Sequence, residues 1–495
     1  MLRSTLAASV LLLASSAAVT SAHALEGKAL LDSYLEKMGS AAVTITYGNL
    51  VEDGASFTMQ DAVITNPRGQ KTNVEAIVVK GLRQAAAGRI SYESVVLSGI
   101  SGQMRGSDGT LSINAVASNN GEWPADVWAG GLTADERKQR ITFDSFSING
   151  VQAKSPEVSF NLESFGITGA DIPLDFRLTP EMAALNSGEP AEPMVMKSVA
   201  LTGFDGTQAG VEFSLGTIAV SNLSFPTSFS VLGVDDLQIY SAAAFKDFLV
   251  KQGGTTIMSL ADLSGTITPA DSSGTITGTS NIDGLYVNLK AVPDREAQKV
   301  FDQLGYDKIE MTATGVGTYN PNTGVTDVTN TVFKLKNMFD LAFNYRLEGY
   351  TLDVINQLNA ANQKIESGTP MMQAYMAILP TLSQVKLSNL SLALTDQSIT
   401  GRALDFQASQ MNTTGDQLAQ GAPMMIGMGL AGLQMPALTE MVTKAVGDFL
   451  RDKGTLTVEA NPAEPVSIVT MVMSGQSNPK VIPEMLNLQM TATPK

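Results

Sequence analysis

The chain has 495 residues, a formal net charge of −16, no cysteine and a single histidine, His23. That excludes disulfides, zinc fingers, Cys-ligated clusters, thiol redox chemistry and Cys–His catalysis, and beyond residue 23 it excludes Ser-His-Asp triads and His-ligated haem as well. The acidic balance disfavours nucleic acid and anionic headgroups as partners. Charged residues make up 16%, against about 25% in ordinary domains, and the Gly, Ser, Thr and Asn that replace them suit strands and turns.

The first residues read as a secretory signal. Met1-Leu2-Arg3 is a short cationic start, Leu6 to Val19 an apolar run, and Ala22-His23-Ala24 a small-x-small cleavage site. The apolar run falls short of the roughly 20 residues a spanning helix needs. Cleavage after residue 24 would leave 471 residues and, by removing Arg3, a net charge of −17. The expected location is therefore the periplasm, with no integral membrane span after cleavage. An uncleaved anchor is the alternative.

An amphipathic helix is predicted next, from Leu30, Leu31, Tyr34, Leu35 and Met38, with Gly39 as its stop. Strand text then dominates: Val43 to Tyr47 alternates, and Ser56 to Ile64 alternates imperfectly. A seven-residue motif, charged-Ser-apolar-x-apolar-x-Gly, recurs at Glu93–Gly99, Asp144–Gly150, Glu163–Gly169 and Lys197–Gly203. Its two apolar positions share one face of a strand, and its Gly ends or bends that strand. The copies are irregularly spaced, so this is a recurring strand type and not a fixed-period solenoid. Looser relatives occur at Ser221–Phe225 and Ser388–Leu392.

Short helices are expected at Thr179-Pro180-Glu181, after Ser241 (with Phe245, Phe248 and Leu249), and after Pro293-Asp294 up to Gly305. Glu310–Tyr319, Val325–Lys336 and Phe339–Leu347 then form an antiparallel meander, turned by Asn320-Pro321-Asn322-Thr323-Gly324. Helical text runs from Leu352 to Leu379, interrupted at Gly368 and Pro370. Strands are predicted at Val385–Leu394 and Ser398–Phe406, a helix from Pro436 to Gly454, and strands at Thr455–Ala460 and Val466–Met473. The Ser/Thr/Gly-rich stretch Pro269 to Thr279 is the softest in the chain, and a domain boundary is placed near 290: 1–24 signal, 25–290 β-rich, 291–495 α+β. The fold class expected is α+β, β-dominated, with antiparallel sheets, extended or curved, and short amphipathic helices packed on one face.

Several motifs resemble sites. Gly427-Met428-Gly429-Leu430-Ala431-Gly432 matches G-x-G-x-x-G but has no βαβ unit around it, so packing is the plainer reading. Ser477-Asn478-Pro479-Lys480 matches S-x-x-K without its partner motifs, and reads as a turn. Met371, Met372 and Met376, and Met424, Met425 and Met428, form two clusters. Core packing is the ordinary role of such residues, and a buried segment is expected from Met424 to Met435. An apolar ligand surface and Cu(I) binding by thioethers are the other two readings. Trp123 and Trp128 are expected to fold back onto the sheet, although exposed Trp can anchor a partner. A paired-carboxylate hydrolase is open in principle, since its geometry is invisible in sequence. Low aromatic content, 6%, and the internal helices argue against an outer-membrane barrel.

The strand texts Val385–Leu394 and Phe143–Gly150 resemble those of AsmA/TamB-like envelope proteins and of the YdgA-like family of exported bacterial proteins. The first resemblance implies long curved sheets whose apolar inner face guides lipids. It transfers no catalytic, cofactor-binding or metal residue, and no cofactor is expected. The expectation is a non-enzymatic exported protein with a lipid-like or other apolar ligand in a groove. The alternatives are a structural or interaction protein with a closed core, whose partner is another envelope protein, and a carboxylate hydrolase.

Overall fold

The computed structural model describes residues 28–40, 43–85, 89–104, 108–124, 139–173, 193–225, 233, 237–291, 295–432 and 435–495. The signal segment, the helix expected at Thr179 and Trp128 lie outside these residues. Two compact units are formed, one from residues 1–229 and 239–254, the other from 230–238 and 255–495. The last passage of the chain from the first unit to the second follows the Gly253-Gly254 turn. Twenty-one strands and nine α-helices occur among the described residues, and no described helix is long and apolar enough to cross a membrane.

Unit 1 begins with helix α1 (Lys28–Ser40) and continues as strands β1 (Thr44–Thr46), β2 (Asn49–Asp53), β3 (Ser56–Thr65), β4 (Lys71–Lys80), β5 (Arg83–Ala85) and β6 (Arg89–Gln103). There follow β7 (Thr110–Pro124), β8 (Arg140–Lys154), β9 (Val158–Pro173), β10 (Met194–Gln208), β11 (Val211–Phe225) and β12 (Ala242–Gln252). Consecutive long strands pair antiparallel, β4 with β6 and then each with the next through β12.

The seven-residue motif sets the geometry of this sheet. Its Gly does not end the strand: Gly99, Gly150, Gly169 and Gly203 lie inside β6, β8, β9 and β10, all at positive φ. The same frame occurs where no Ser marks it: Glu75 to Gly81 along β4, Asn114 to Asn120 in β7, and Gly216 to Asn222 in β11, with Gly81, Asn120 and Asn222 also left-handed. A left-handed residue turns the next peptide over, so alternation resumes one residue out of phase. In antiparallel register the first residue of one motif lies opposite the last residue of its neighbour. Gly169 faces Lys197, between the pairs Met196–Ala170 and Ser198–Thr168, and Gly203 faces Glu163, between Thr202–Ser164 and Phe204–Leu162. Both strands shift phase at the same level, and the pairing register survives. Gly is the residue that takes this conformation without strain; Asn is the usual substitute.

Inward-facing residues are therefore spaced 2, 3, 2, 3, 2 instead of by strict alternation. In β8 they are Ile141, Phe143, Phe146, Ile148, Val151 and Ala153, and the last four are buried. The imperfect alternation of β3 has the same origin: Phe57 and Met59, then Ala62 and Ile64, are buried on either side of the left-handed Asp61. This spacing also explains an incorrect expectation. Phe245, Phe248 and Leu249 suggested a helix after Ser241, but they belong to strand β12, paired as Phe245–Ile218 and Leu249–Ser214. The left-handed Asp247 creates the i, i+3 interval that imitates a helix.

Unit 2 opens with β13 (Thr255–Thr268), β14 (Ile276–Asn288), α2 (Arg295–Gln303), β15 (Lys308–Asn320), β16 (Val325–Leu335) and β17 (Phe339–Glu348). The Ser/Thr/Gly stretch from Pro269 is the connection between β13 and β14, which pair with each other. The predicted meander β15–β17 is present, with Asn320 Oδ1 accepting from the Asn322 N–H at 3.0 Å and Gly324 left-handed in the turn. The helical text interrupted at Gly368 and Pro370 forms two helices, α3 (Leu352–Glu366) and α4 (Met371–Leu382), and β18 (Lys386–Asp396) follows.

Ser398–Phe406 is not a strand: residues Ile399–Gln410 form helix α5. The buried Asp396 carboxylate accepts from the Thr400 N–H at 2.7 Å. Arg402 lies over the Tyr306 ring at 4.3 Å and donates to the Leu304 and Gly305 carbonyls. These tertiary contacts outweigh the strand-like alternation. Helices α6 (Gly415–Ala431) and α7 (Pro436–Asp452) follow, α6 opened by a Thr414–Gln417 capping box. After β19 (Thr455–Ala460), the expected strand Val466–Met473 reduces to a two-residue β20 (Val466–Ser467) and then helix α8 (Ile468–Ser477). The edge of β19 is taken by β21 (Leu488–Thr493), which comes after the short helix α9 (Ile482–Met485).

Candidate functional site: a half-covered apolar face

The two faces of the unit 1 sheet differ chemically. On one, hydroxyls pair across strands: Ser159 with Thr207 at 2.8 Å, Ser164 with Thr202 at 2.7 Å, and Thr168 with Ser198 at 2.7 Å. The other carries the apolar pairs. Over β3–β8 those pairs are buried, Phe57, Leu97 and Val116 at 1% exposure or less. Helix α1 adds Leu30 and Leu31, both buried, and Leu35 to that core, facing residues of β3, β4, β6 and β7. Each such burial contributes about 1.5–3 kcal/mol.

Beneath α1 the packing is nearly complete. The cavity bounded by Leu31, Leu35, Met59, Tyr92 and Trp123 among others has about 50 Å³ free. Trp123 lies on β7, buried, its ring 5.2 Å from that of Tyr92, so it is a core residue as expected. The Tyr92 hydroxyl is bonded to Ser118 Oγ at 2.7 Å, and burial pushes its pKa from 10.0 up to about 12.

The same inner rows continue through β9–β12; Ala170, Met194, Met196 and Leu215 in them are buried, and most of the rest is less fully covered. Phe160, Leu162, Phe165 and Ile167 pack against the edge of the buried core but are only half-buried themselves. Val199, Leu201 and Phe204 on β10, and Phe213, Ile218 and Val220 on β11, are likewise half-buried. Leu201 pairs with Phe165 on one side and Ile218 on the other, and the rings of Phe160, Phe204 and Phe213 follow one another at 6.1 and 5.6 Å. The result is a continuous apolar strip whose groups are uncharged. It can hold alkyl or aromatic material by area burial and offers no nucleophile or proton donor.

The other sequence candidates are placed as follows. Gly427 to Ala431 lie within helix α6, not at a strand–helix turn, so the phosphate cradle of a dinucleotide site is absent there. Ser477 ends helix α8, its Oγ donating to the Met473 carbonyl at 2.8 Å, with Pro479 opening the next turn. One register pair sets two carboxylates opposite each other, Asp262 and Asp283; Asp283 is exposed, and Asp262 accepts from Ser264 and Asn281 at 2.6 and 2.9 Å. The methionine expectation is overturned. Met371, Met372 and Met376 on α4 and Met424, Met425 and Met428 on α6 are all more than half exposed, so they are not core. Between α6 and α7 lies an open groove of about 730 Å³, lined by Gly427, Ala431, Thr443 and Gly447 among others and by none of these six methionines.

The half-covered strip was not legible in the sequence, because its residues are of the same types as the buried ones. Only the burial difference between residues such as Leu97 and Val116 and residues such as Leu201 and Ile218 reveals it. Residues 332–493, from within β16 to the end of β21, match a family model described as "Uncharacterized protein". No curated protein matches the chain.

Proposed function

We propose that this is an exported, non-enzymatic envelope protein that holds a lipid-like or other apolar ligand along the half-covered face of its unit 1 sheet. The observation that carries this reading is the continuity of the inner rows: the pattern buried over β3–β8 runs on into β9–β12, where Phe165, Leu201, Phe204, Phe213 and Ile218 stay half open beside the buried Ala170, Met194, Met196 and Leu215. Apolar area left in that state gains about 25 cal/mol per Å² when an acyl chain covers it. The short amphipathic helices are taken to lie on one face as its cover, with α1 the example in unit 1. In this reading the chain works in the periplasm without nucleic acid or cofactor. The N-terminal signal text and the AsmA/TamB-like strand text point the same way.

The test is organic extraction of the purified full-length protein followed by mass spectrometry. Acyl-chain species are expected from the native chain and not from the Leu201→Asp/Ile218→Asp variant, while Thr202→Asp, on the hydroxyl face, keeps them. Repeated extraction of nothing from folded protein counts against the ligand. N-terminal sequencing of the native product checks export, with Leu25 expected as the first residue.

A second reading, a structural or interaction protein with a closed core, is favoured by one observation: only about 50 Å³ remains free beneath α1. It predicts empty extracts and a partner protein from the envelope.

A further inference from the structure

Nine large apolar side chains among the described residues of unit 2 are more than half exposed, and eight of them are methionines; Val472 is the ninth. A surface selected for hydrophobicity alone would be served as well by Leu, which matches Met in helix propensity. The restriction to thioethers points to sulfur chemistry. On α6, Met424, Met425 and Met428 are 73%, 57% and 65% exposed. At 3.6 residues per turn they fall within an arc of about 100°, with Met428 between the other two. Side chains on a helix lean toward its N-terminus, so Met428 lies over Met424 and Met425, which in turn lean over Gly421.

Gly421 leaves that surface bare: a Cβ there would meet nothing within 4 Å, nor would one at Gly429 or Gly432. Packing therefore gives no reason for glycine at 421 and 429, inside the helix, where it costs about 1 kcal/mol relative to Ala. It leaves three long, unhindered thioethers able to converge on one point. Past residue 23 the chain has no histidine and no cysteine, so methionine is its only soft donor, and its net negative charge favours cations.

We propose that Met424, Met425 and Met428 form a binding site for a soft monovalent metal ion, Cu(I) being the ion that thioether ligands select. The site is independent of the apolar strip in unit 1. Met372 and Met376 on α4 share the i, i+4 spacing, but with Met371 they spread over about 140° of the helix, wider than the α6 group.

The test is anaerobic titration of the full chain with Cu(I) alone against a chromophoric Cu(I) chelator, with X-ray absorption of the loaded protein. The native chain is expected to withdraw one equivalent into a sulfur-only shell. The triple variant Met424→Leu/Met425→Leu/Met428→Leu, which keeps the apolar surface and is checked for unchanged helix content, is expected to lose it, and Met372→Leu/Met376→Leu to retain it. Copper left with the chelator by the native chain overturns the assignment. So does equal withdrawal by the triple variant, or loss confined to the α4 variant.

Discussion

Glu163 on β9 occupies the space that a side chain on Gly203 of β10 would need: a Cβ built on Gly203 lies 2.6 Å from both Cβ and Oε2 of Glu163. The two residues are the first and last of neighbouring motif copies, and this contact repeats across the sheet as Glu75 against Gly99 and Lys197 against Gly169. It ties the charged start of one motif to the glycine of a neighbouring strand.

Gly203→Ala should therefore destabilise unit 1 by more than the ~1–2 kcal/mol of a left-handed L-residue, because the overlap with Glu163 adds to the strain. Asn222, which holds the corresponding place in β11 at φ +50°, marks the opposite limit. Asn222→Gly relieves the same strain and forfeits one exposed hydrogen bond, 2.9 Å long, to Ser241. Denaturant unfolding should show a large loss for the first variant and a change near zero for the second.

Stability should fall as pH rises from 10 to 12. The Tyr92 proton is held to about pH 12 in the folded state, while the unfolded chain releases it near 10.0, so the folded state binds more protons across that window. The loss amounts to roughly 2–3 kcal/mol once both values are passed. Tyr92→Phe should flatten the slope in alkaline denaturation. A smaller slope should persist from Tyr319, whose pKa is also raised to about 12 but whose ring is less deeply buried.

Leu31→Ala should cost about 2–5 kcal/mol, the range for a fully buried leucine. Leu31 is 3% exposed and borders the 50 Å³ cavity, so truncation enlarges an apolar void already there. Enlarged dry cavities of this kind take up benzene or xenon. A rise in melting temperature on adding benzene, seen in the variant and not in the parent, is the expected readout.

Asp396→Ala should loosen the start of α5 by about 1–2 kcal/mol, since the carboxylate is the acceptor for the Thr400 N–H at 2.7 Å. Asp396→Asn keeps an acceptor oxygen and should lose less. Slowed hydrogen exchange at Thr400 in the parent, lost in the Ala variant and partly kept in the Asn variant, would show that the effect is local.

The strands were read from the motif itself, because two apolar residues two apart can share a face only in extended chain. The meander from Lys308 to Glu348 and helix α7 were equally plain, their turn and stop signals being local. The misreadings have local causes too. Asp247 disguises β12 as a helix, and Ile468 to Met473 spells a strand that would run past the start of β18, since Ser467 already pairs with Lys386, the first residue of that strand.

By itself the sequence determined the strand-forming frame, the absence of thiol and, past residue 23, of imidazole, and the places where glycine must bend the chain. These follow from atoms close together along the backbone. Tertiary structure alone decided that the six clustered methionines face solvent, and that Leu201 and Ile218 are half open where Leu97 and Val116 are sealed. Exposure depends on what packs above a residue, and for these side chains that neighbour lies far away in the chain.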